Sequence, residues 1–251
     1  MRHTRGERQE VYATQYIDTL ADTQNEPAEV PVDAGVSELR VFYKDGKVSM
    51  PVTLEIQTST GMHRGVHMSR LVQAASLSGA PDIVSWLRKI CREVNKTQPG
   101  SCVTCRFELP YADQFMPARI KTREAGLVRY ELTAKGMTAC PCSKKMVGVG
   151  HMQRAEIVMM LQSKKQVDMP KTIEKMGECF SAMPTEKMKR VEEAKKILDA
   201  QDRTRFAEDL VRECVKRFPN SLHVRARCFE SIHAHDAIAT WSKKSGWVPD
   251  F

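Results

Sequence analysis

A chain of 251 residues, 41% hydrophobic and 28% charged, is long enough to bury a core as one large domain or as two modules of about 125 residues, and its composition excludes wholesale disorder. Its net charge of +8 suits a polyanion, but Lys and Arg are spread along the chain, aromatics make up only 6%, and no nucleic-acid-binding signature occurs; a nucleoside triphosphate fits better than nucleic acid. No apolar run approaches the ~18 residues of a membrane span and the opening MRHTRGERQE is not signal-like, so no membrane association and a cytoplasmic setting are expected, with the eight cysteines as reduced thiols or metal ligands rather than disulfides.

Residues 1–36 lack an apolar period and read as a flexible arm. Alternation then begins: Leu39, Val41 and Tyr43 precede the turn Asp45-Gly46, and Val48, Met50, Val52, Leu54 and Ile56 follow it, which predicts a β-hairpin. Helical patterns run from His67 to Ser78 and, after Pro81, to Asn95, with Ile83, Trp86, Leu87 and Ile90 on one face. Cys102 to Glu108 and Leu127 to Leu132 are strand-like, and Pro110 and Pro117 between them mark a connection. The order then repeats: a strand at Glu156 to Leu161, helical patterns at about 171–182, 186–200 and 203–217, and a closing strand from Leu222 to Phe229. Two rounds of strands, helices and strands without βαβ alternation predict an α+β fold, antiparallel sheets carrying helices on one face. The first round occupies residues 37–125 and the second 126–251.

Two clusters carry chemistry. Cys140-Pro141-Cys142-Ser143-Lys144 precedes Gly150-His151-Met152-Gln153-Arg154, and thiolate with imidazole suits zinc or ferrous iron. Buried reduced cysteines beside an unrelated histidine are the alternative. The second cluster is Glu230-Ser231-Ile232-His233-Ala234-His235. On a continuing strand His233 and His235 share a face that Glu230 does not, whereas a turn or bulge lets all three converge; a polar strand end is the alternative. On composition alone Glu193 and Glu208 are solvated helix-face residues. In Cys102-x-x-Cys105 the strand setting puts the thiols on opposite faces, which points to packing.

Together CPCSK at 140–144, GHMQR at 150–154, FAEDLVR at 206–212, FESIHAHDA at 229–237 and GVHMSR at 65–70 resemble the prokaryotic type IB GTP cyclohydrolases of the tunnelling-fold superfamily, over roughly residues 37–241. That resemblance implies tandem tunnelling-fold modules, a barrel closed by oligomerisation into a homotetramer, and active sites at subunit interfaces. It implies GTP as substrate and 7,8-dihydroneopterin triphosphate and formate as products, the first step of folate and pterin biosynthesis. By position it assigns Cys140, His151, Glu193 and His233 to a divalent metal site for zinc, manganese or ferrous iron, with Cys140 also catalytic, and Glu208 to the guanine base. Glu230 and His235 then serve as proton-transfer or supporting groups, and His67 and Arg70 as triphosphate contacts. Glu193 rests on the KRVEE segment, where Glu192 is the competing choice; Met152 replaces the family's common Asn, and residues 162–190 match poorly. A cyclic-phosphate product of the archaeal branch, a deazapurine nitrile reductase, and a non-catalytic zinc or nucleic-acid-binding protein are the competing readings.

Overall fold

The computed structural model describes residues 22–46 and 49–243; residues 1–21 of the arm and Val48 of the hairpin lie outside them. Among the described residues, eight strands form one antiparallel sheet in chain order: β1 (Asp33–Lys44), β2 (Ser49–Ser59), β3 (Cys102–Tyr111), β4 (Gln114–Thr122), β5 (Val128–Ala139), β6 (Met152–Ser163), β7 (Ser221–Cys228) and β8 (Ala237–Ser242). Helices α1 (Met68–Ala75) and α2 (Ile83–Asn95) lie between β2 and β3. A short α3 (Pro141–Val147) joins β5 to β6, and α4 (Met169–Gly177), α5 (Arg190–Asp202) and α6 (Ala207–Arg217) join β6 to β7.

Period-two burial explains why the sheet is covered on one side. Leu54, Cys105, Ile120, Tyr130, Ile157 and Ala226 are fully buried, while their neighbours Glu55, Arg106, Lys121, Glu131, Glu156 and Arg225 are not. Trp86, Leu87 and Ile90 of α2, with Ile173 of α4 and Leu210 of α6, join the same core cluster. Each fully buried large aliphatic side chain contributes roughly 1.5–3 kcal/mol. Asp82 starts α2 by accepting the Ser85 amide at 2.8 Å, a cap worth about 1 kcal/mol. Helix α5 differs, for Ala200 is its one buried residue.

The predicted hairpin, both early helices and the closing strand are present, and the α+β architecture is as expected. Three features differ. Pro110 and Pro117 lie within β3 and β4, not in a connection, opposite Phe115 and Glu108. Pairing with β2 stops at Arg106 and pairing with β5 starts at Ala118, so each proline occupies a stretch with a ladder on one side only, where a missing N–H is tolerated. The edge strand β8 follows the histidine-rich loop and has no continuous apolar alternation to announce it. Strand β1 begins at Asp33, inside the residues expected to form the arm, because Asp33 to Val36 pair with Ser59 to Ile56.

Strand polarity fixes the two ends of the sheet. Ser59, Cys102, Thr122, Val128 and Ser163 gather at one end, and Ala139, Met152 and Cys228 at the other. Strands of twelve residues such as β5 and β6 separate those ends by roughly 35–40 Å at about 3.3 Å per residue.

Candidate metal centre and active site

Cys140 directly follows β5 and is the N-cap of α3, with Pro141 in the first turn, where its missing N–H removes nothing from the helix. The helix stops at Gly148, whose φ of +83° is left-handed. The chain then turns back so that the Cys140 amide donates to the His151 carbonyl at 2.9 Å and the His151 amide to the Ser143 hydroxyl at 3.0 Å. Gln201 clamps the return, accepting from the Gly150 amide at 2.8 Å and donating to its carbonyl at 2.9 Å. The eleven-residue spacing is thus one short helix and a reversal, and it sets His151 beside Cys140.

The Ala155↔Cys228 register of β6 and β7 continues past the ladder, where the Phe229 amide donates to the Arg154 carbonyl at 2.9 Å. That register sets Glu230 opposite Gln153, which is itself paired with Thr138 of β5. Period two then puts Thr138 and Cys140, His151 and Gln153, and Cys228 and Glu230 on one face. The loop after Glu230 is pinned by Asp236, which accepts from Arg227 at 2.6 Å, and it returns His233 over the site. Ligand atoms of His151, Glu230 and His233 all fall within 4.8 Å of one another. His151 Nδ1 stands 3.8 Å from Glu230 Oε2, and both side chains are mostly buried. The rings of His151 and His233 meet edge to face with centroids 6.2 Å apart.

Two imidazoles and a carboxylate, with a thiol on the adjoining strand end, are the donors that first-row divalent ions take. The donor chemistry therefore fits a resident zinc, manganese or ferrous ion.

A family model described as type I GTP cyclohydrolase FolE2 matches residues 20–239. The chain belongs to the FolE2 family. Similar curated proteins include the GTP cyclohydrolase MptA of Picrophilus torridus, 26% identical over 244 residues covering 84% of this chain and 89% of that protein. The FolE2 of Nitratidesulfovibrio vulgaris strain DSM 19637 is 28% identical over 255 residues, 88% of this chain and 97% of the relative; that of Pseudothermotoga lettingae is 30% identical over 201 residues, 70% and 76%. Among solved structures, a uricase from Arthrobacter globiformis superposes with a TM-score of 0.47 at 7% identity, covering 90% of this chain and 98% of that one.

In this FolE2 member the residues singled out from sequence divide by place. Of the four residues assigned to the metal, the structure brings His151 and His233 together with Glu230, while neither Cys140 nor Glu193 is in that group. Glu193 sits exposed in the first turn of α5. Its neighbour Glu192 is engaged, accepting from the Lys189 amide at 2.9 Å as a helix cap, which leaves Glu193 as the uncommitted carboxylate of the pair. His235 stacks on His233 with centroids 5.1 Å apart. Glu208 is exposed in the first turn of α6, close enough to act on Cys228. Burial raises that thiol from 9.0 to about 11, and the charges of Glu230, Glu208 and Asp236 push the same way. Cys142 is exposed on α3.

His67 and Arg70 are not at this site. His67 is the N-cap of α1, its amide donating to Gln98 Oε1 at 2.6 Å. With Arg70 and His63 it lines a cavity of about 390 Å³ that includes Ser59 and Pro99, at the opposite end of the sheet. Sequence reasoning also passed over Gln153, whose signal was its place two residues after His151.

Among the described residues, no helix is long and apolar enough to cross a membrane.

Proposed function

We propose that this FolE2 member is a type IB GTP cyclohydrolase that converts GTP and water to 7,8-dihydroneopterin triphosphate and formate in the cytoplasm. It works as a homotetramer of tandem tunnelling-fold modules, residues 37–125 and 126–251, whose sheets close into a barrel. The observation that carries this reading is the convergence of His151, Glu230 and His233 beside Cys140 and on the same side of the sheet end as Glu208. His151, His233 and Cys140 would hold a zinc, manganese or ferrous ion, with Glu193 or Glu230 as the carboxylate. When bound, such an ion supplies the Lewis acidity that lets water attack C8 of guanine near neutral pH.

The remaining work falls to the chain's own groups. Glu208 accepts the N1 and N2 protons of guanine with its two carboxylate oxygens, a pairing adenine does not offer. The buried side of the cluster excludes bulk water, and His235, stacked on His233, carries protons between solvent and the purine nitrogens as the imidazole ring opens and formate leaves. His67 and Arg70 hold the triphosphate. Because roughly 35–40 Å of strand separates them from His151 in one chain, they act on the site of a neighbouring copy. That geometry supports active sites shared between subunits.

The deciding experiment is incubation of metal-loaded protein with GTP and a thiol reductant. Formate, and a pterin that fluoresces after oxidation, are the expected outcome. Salt-sensitive RNA binding without turnover supports the binding-protein alternative instead, and NADPH consumption the nitrile reductase. Similarity to an MptA protein keeps the cyclic-phosphate product in view; phosphorus NMR of the product separates it from the linear triphosphate.

A further inference from the structure

Resting on the metal site proposed above, we infer that Gln153 is a positioning residue that turns the Glu230 carboxylate toward the two histidines. Gln153 lies near the start of β6, only 6% exposed, on the face that continues into Ala155, Ile157 and Met159. Packing alone is served by another apolar residue at that point. Instead its Nε2 donates to Glu230 Oε1 at 3.3 Å, while Glu230 Oε2 stands 3.8 Å from His151 Nδ1. One carboxylate oxygen is thus held from beneath and the other is presented to the cluster.

The amide has no freedom to turn over, since its oxygen against a carboxylate is repulsive and only its nitrogen can donate. In this orientation Gln153 Oε1 is buried with no hydrogen-bond partner. A buried carbonyl left unpaired detracts from stability. The glutamine therefore serves the ligand-binding state at the expense of the empty fold. Glu230 itself sits in the loop beyond the last ladder pair of β7, where no helix or strand fixes its rotamer, and Gln153 supplies that constraint from a strand.

The test uses the full-length apoprotein and Zn²⁺, titrated in competition with a chromophoric chelator, together with thermal melting of the metal-free forms. Gln153→Met keeps the volume and removes both polar atoms. Its metal-free melting temperature should equal or exceed that of the parent, because an orphaned carbonyl is lost, while Zn²⁺ affinity should fall about 10- to 100-fold, the usual loss when a ligand's supporting hydrogen bond is removed. A residue that only packs produces the reverse, lower stability with unchanged affinity. Combined with Glu230→Ala, Gln153→Met should add nothing, since it acts through Glu230. If Gln153→Met does not fold, Gln153→Asn retracts the amide by one methylene and should show the same loss. Unchanged affinity, or losses that add in the double variant, overturns the positioning role. Failure of the parent protein to take up Zn²⁺ overturns this role and the metal reading together, whereas parent binding with an indifferent Gln153 overturns this role alone.

Discussion

Cys140 and His151 are paired backbone to backbone, the Cys140 amide donating to the His151 carbonyl at 2.9 Å, and the residue that permits this approach is Gly150. A Cβ on Gly150 falls 2.6 Å from the Cys140 carbonyl oxygen and 3.1 Å from its nitrogen, both backbone atoms that cannot swing away. Gly150→Ala should therefore push the His151 strand off Cys140, costing about 1–3 kcal/mol as an overpacked contact and lowering metal uptake. Melting curves and metal analysis check it; a variant with parental metal content would mean the juxtaposition does not matter to the site.

Thiol and carboxylate substitutions sort the ligands. Cys140→Ala should abolish turnover and reduce bound metal, because one strong donor leaves a site with few others, whereas Cys142→Ala, altering an exposed α3 side chain, should be mild. Glu230→Ala and Glu193→Ala measured alongside identify which carboxylate the assembled enzyme uses. Equal metal loss in both cysteine variants would reverse the assignment of Cys140.

Glu208→Gln should leave folding and metal content intact, since the side chain is exposed in the first turn of α6, yet weaken guanine recognition sharply. An amide accepts one of the two base protons and sets a donor against the other, and sites built for a bidentate contact lose roughly 2–4 kcal/mol when it is half broken. Titration with a non-hydrolysable GTP analogue measures this directly. Parental affinity together with parental turnover would return Glu208 to an ordinary helix surface.

Legibility in the sequence followed the physics of each signal. The hairpin and α2 were readable because one side of each is continuously apolar, and the histidine cluster was readable as residue types. Strand β4 was hidden by Pro117, which is acceptable there only because one ladder is missing, a fact of register rather than of local sequence. The convergence of Glu230 with His151 depends on the Ala155↔Cys228 pairing, which brings together residues far apart in the chain. Likewise no local pattern shows that Glu192 is occupied as a helix cap and Glu193 is not, or that His67 stands at the far end of the sheet from His151.

Alkaline pH should destabilise the fold through its buried thiols. Cys91 and Cys228 are each raised from 9.0 to about 11, chiefly by burial. Their folded values exceed the unfolded ones, so the unfolded chain releases these protons first. The contribution is complete below about pH 9 and is lost as pH rises toward 11, at up to about 1.4 kcal/mol per pH unit for each thiol. Denaturant unfolding of the apoprotein across that window should show falling stability, with a shallower slope in Cys91→Ala. A flat profile between about pH 9 and 10.5 would contradict the assignment.

The last prediction concerns completion of the site by a second copy. Within one chain His67 and Arg70 lie at the end of the sheet marked by Ser59 and Pro99, and His151, Glu230 and His233 at the end marked by Cys228. The strands between are too long for any side chain to bridge. If both sets act on one GTP, the triphosphate contacts at each metal centre come from Arg70 of the partner subunit. Arg70→Ala and Cys140→Ala should then each be nearly inactive alone, yet regain activity when dissociated and reassembled together, because some sites pair an intact Cys140 with an intact Arg70. Random mixing of equal amounts restores about one site in four when two chains build each site. Cys140→Ala mixed with Glu208→Gln is the control: where both residues of a site come from one chain, every site in the mixture carries one of the two defects, so this mixture should stay inactive. Dilution below the assembly constant should lower specific activity for the same reason. Among the described residues β1 and β8 are the edge strands of this sheet, and a sheet edge supplies a physical reason for the copies to join, since an edge left unpaired is a standing invitation to another strand. A fully active monomer by light scattering, or an Arg70→Ala and Cys140→Ala mixture that stays inactive after verified exchange of subunits, would place the whole reaction within one chain and remove His67 and Arg70 from it.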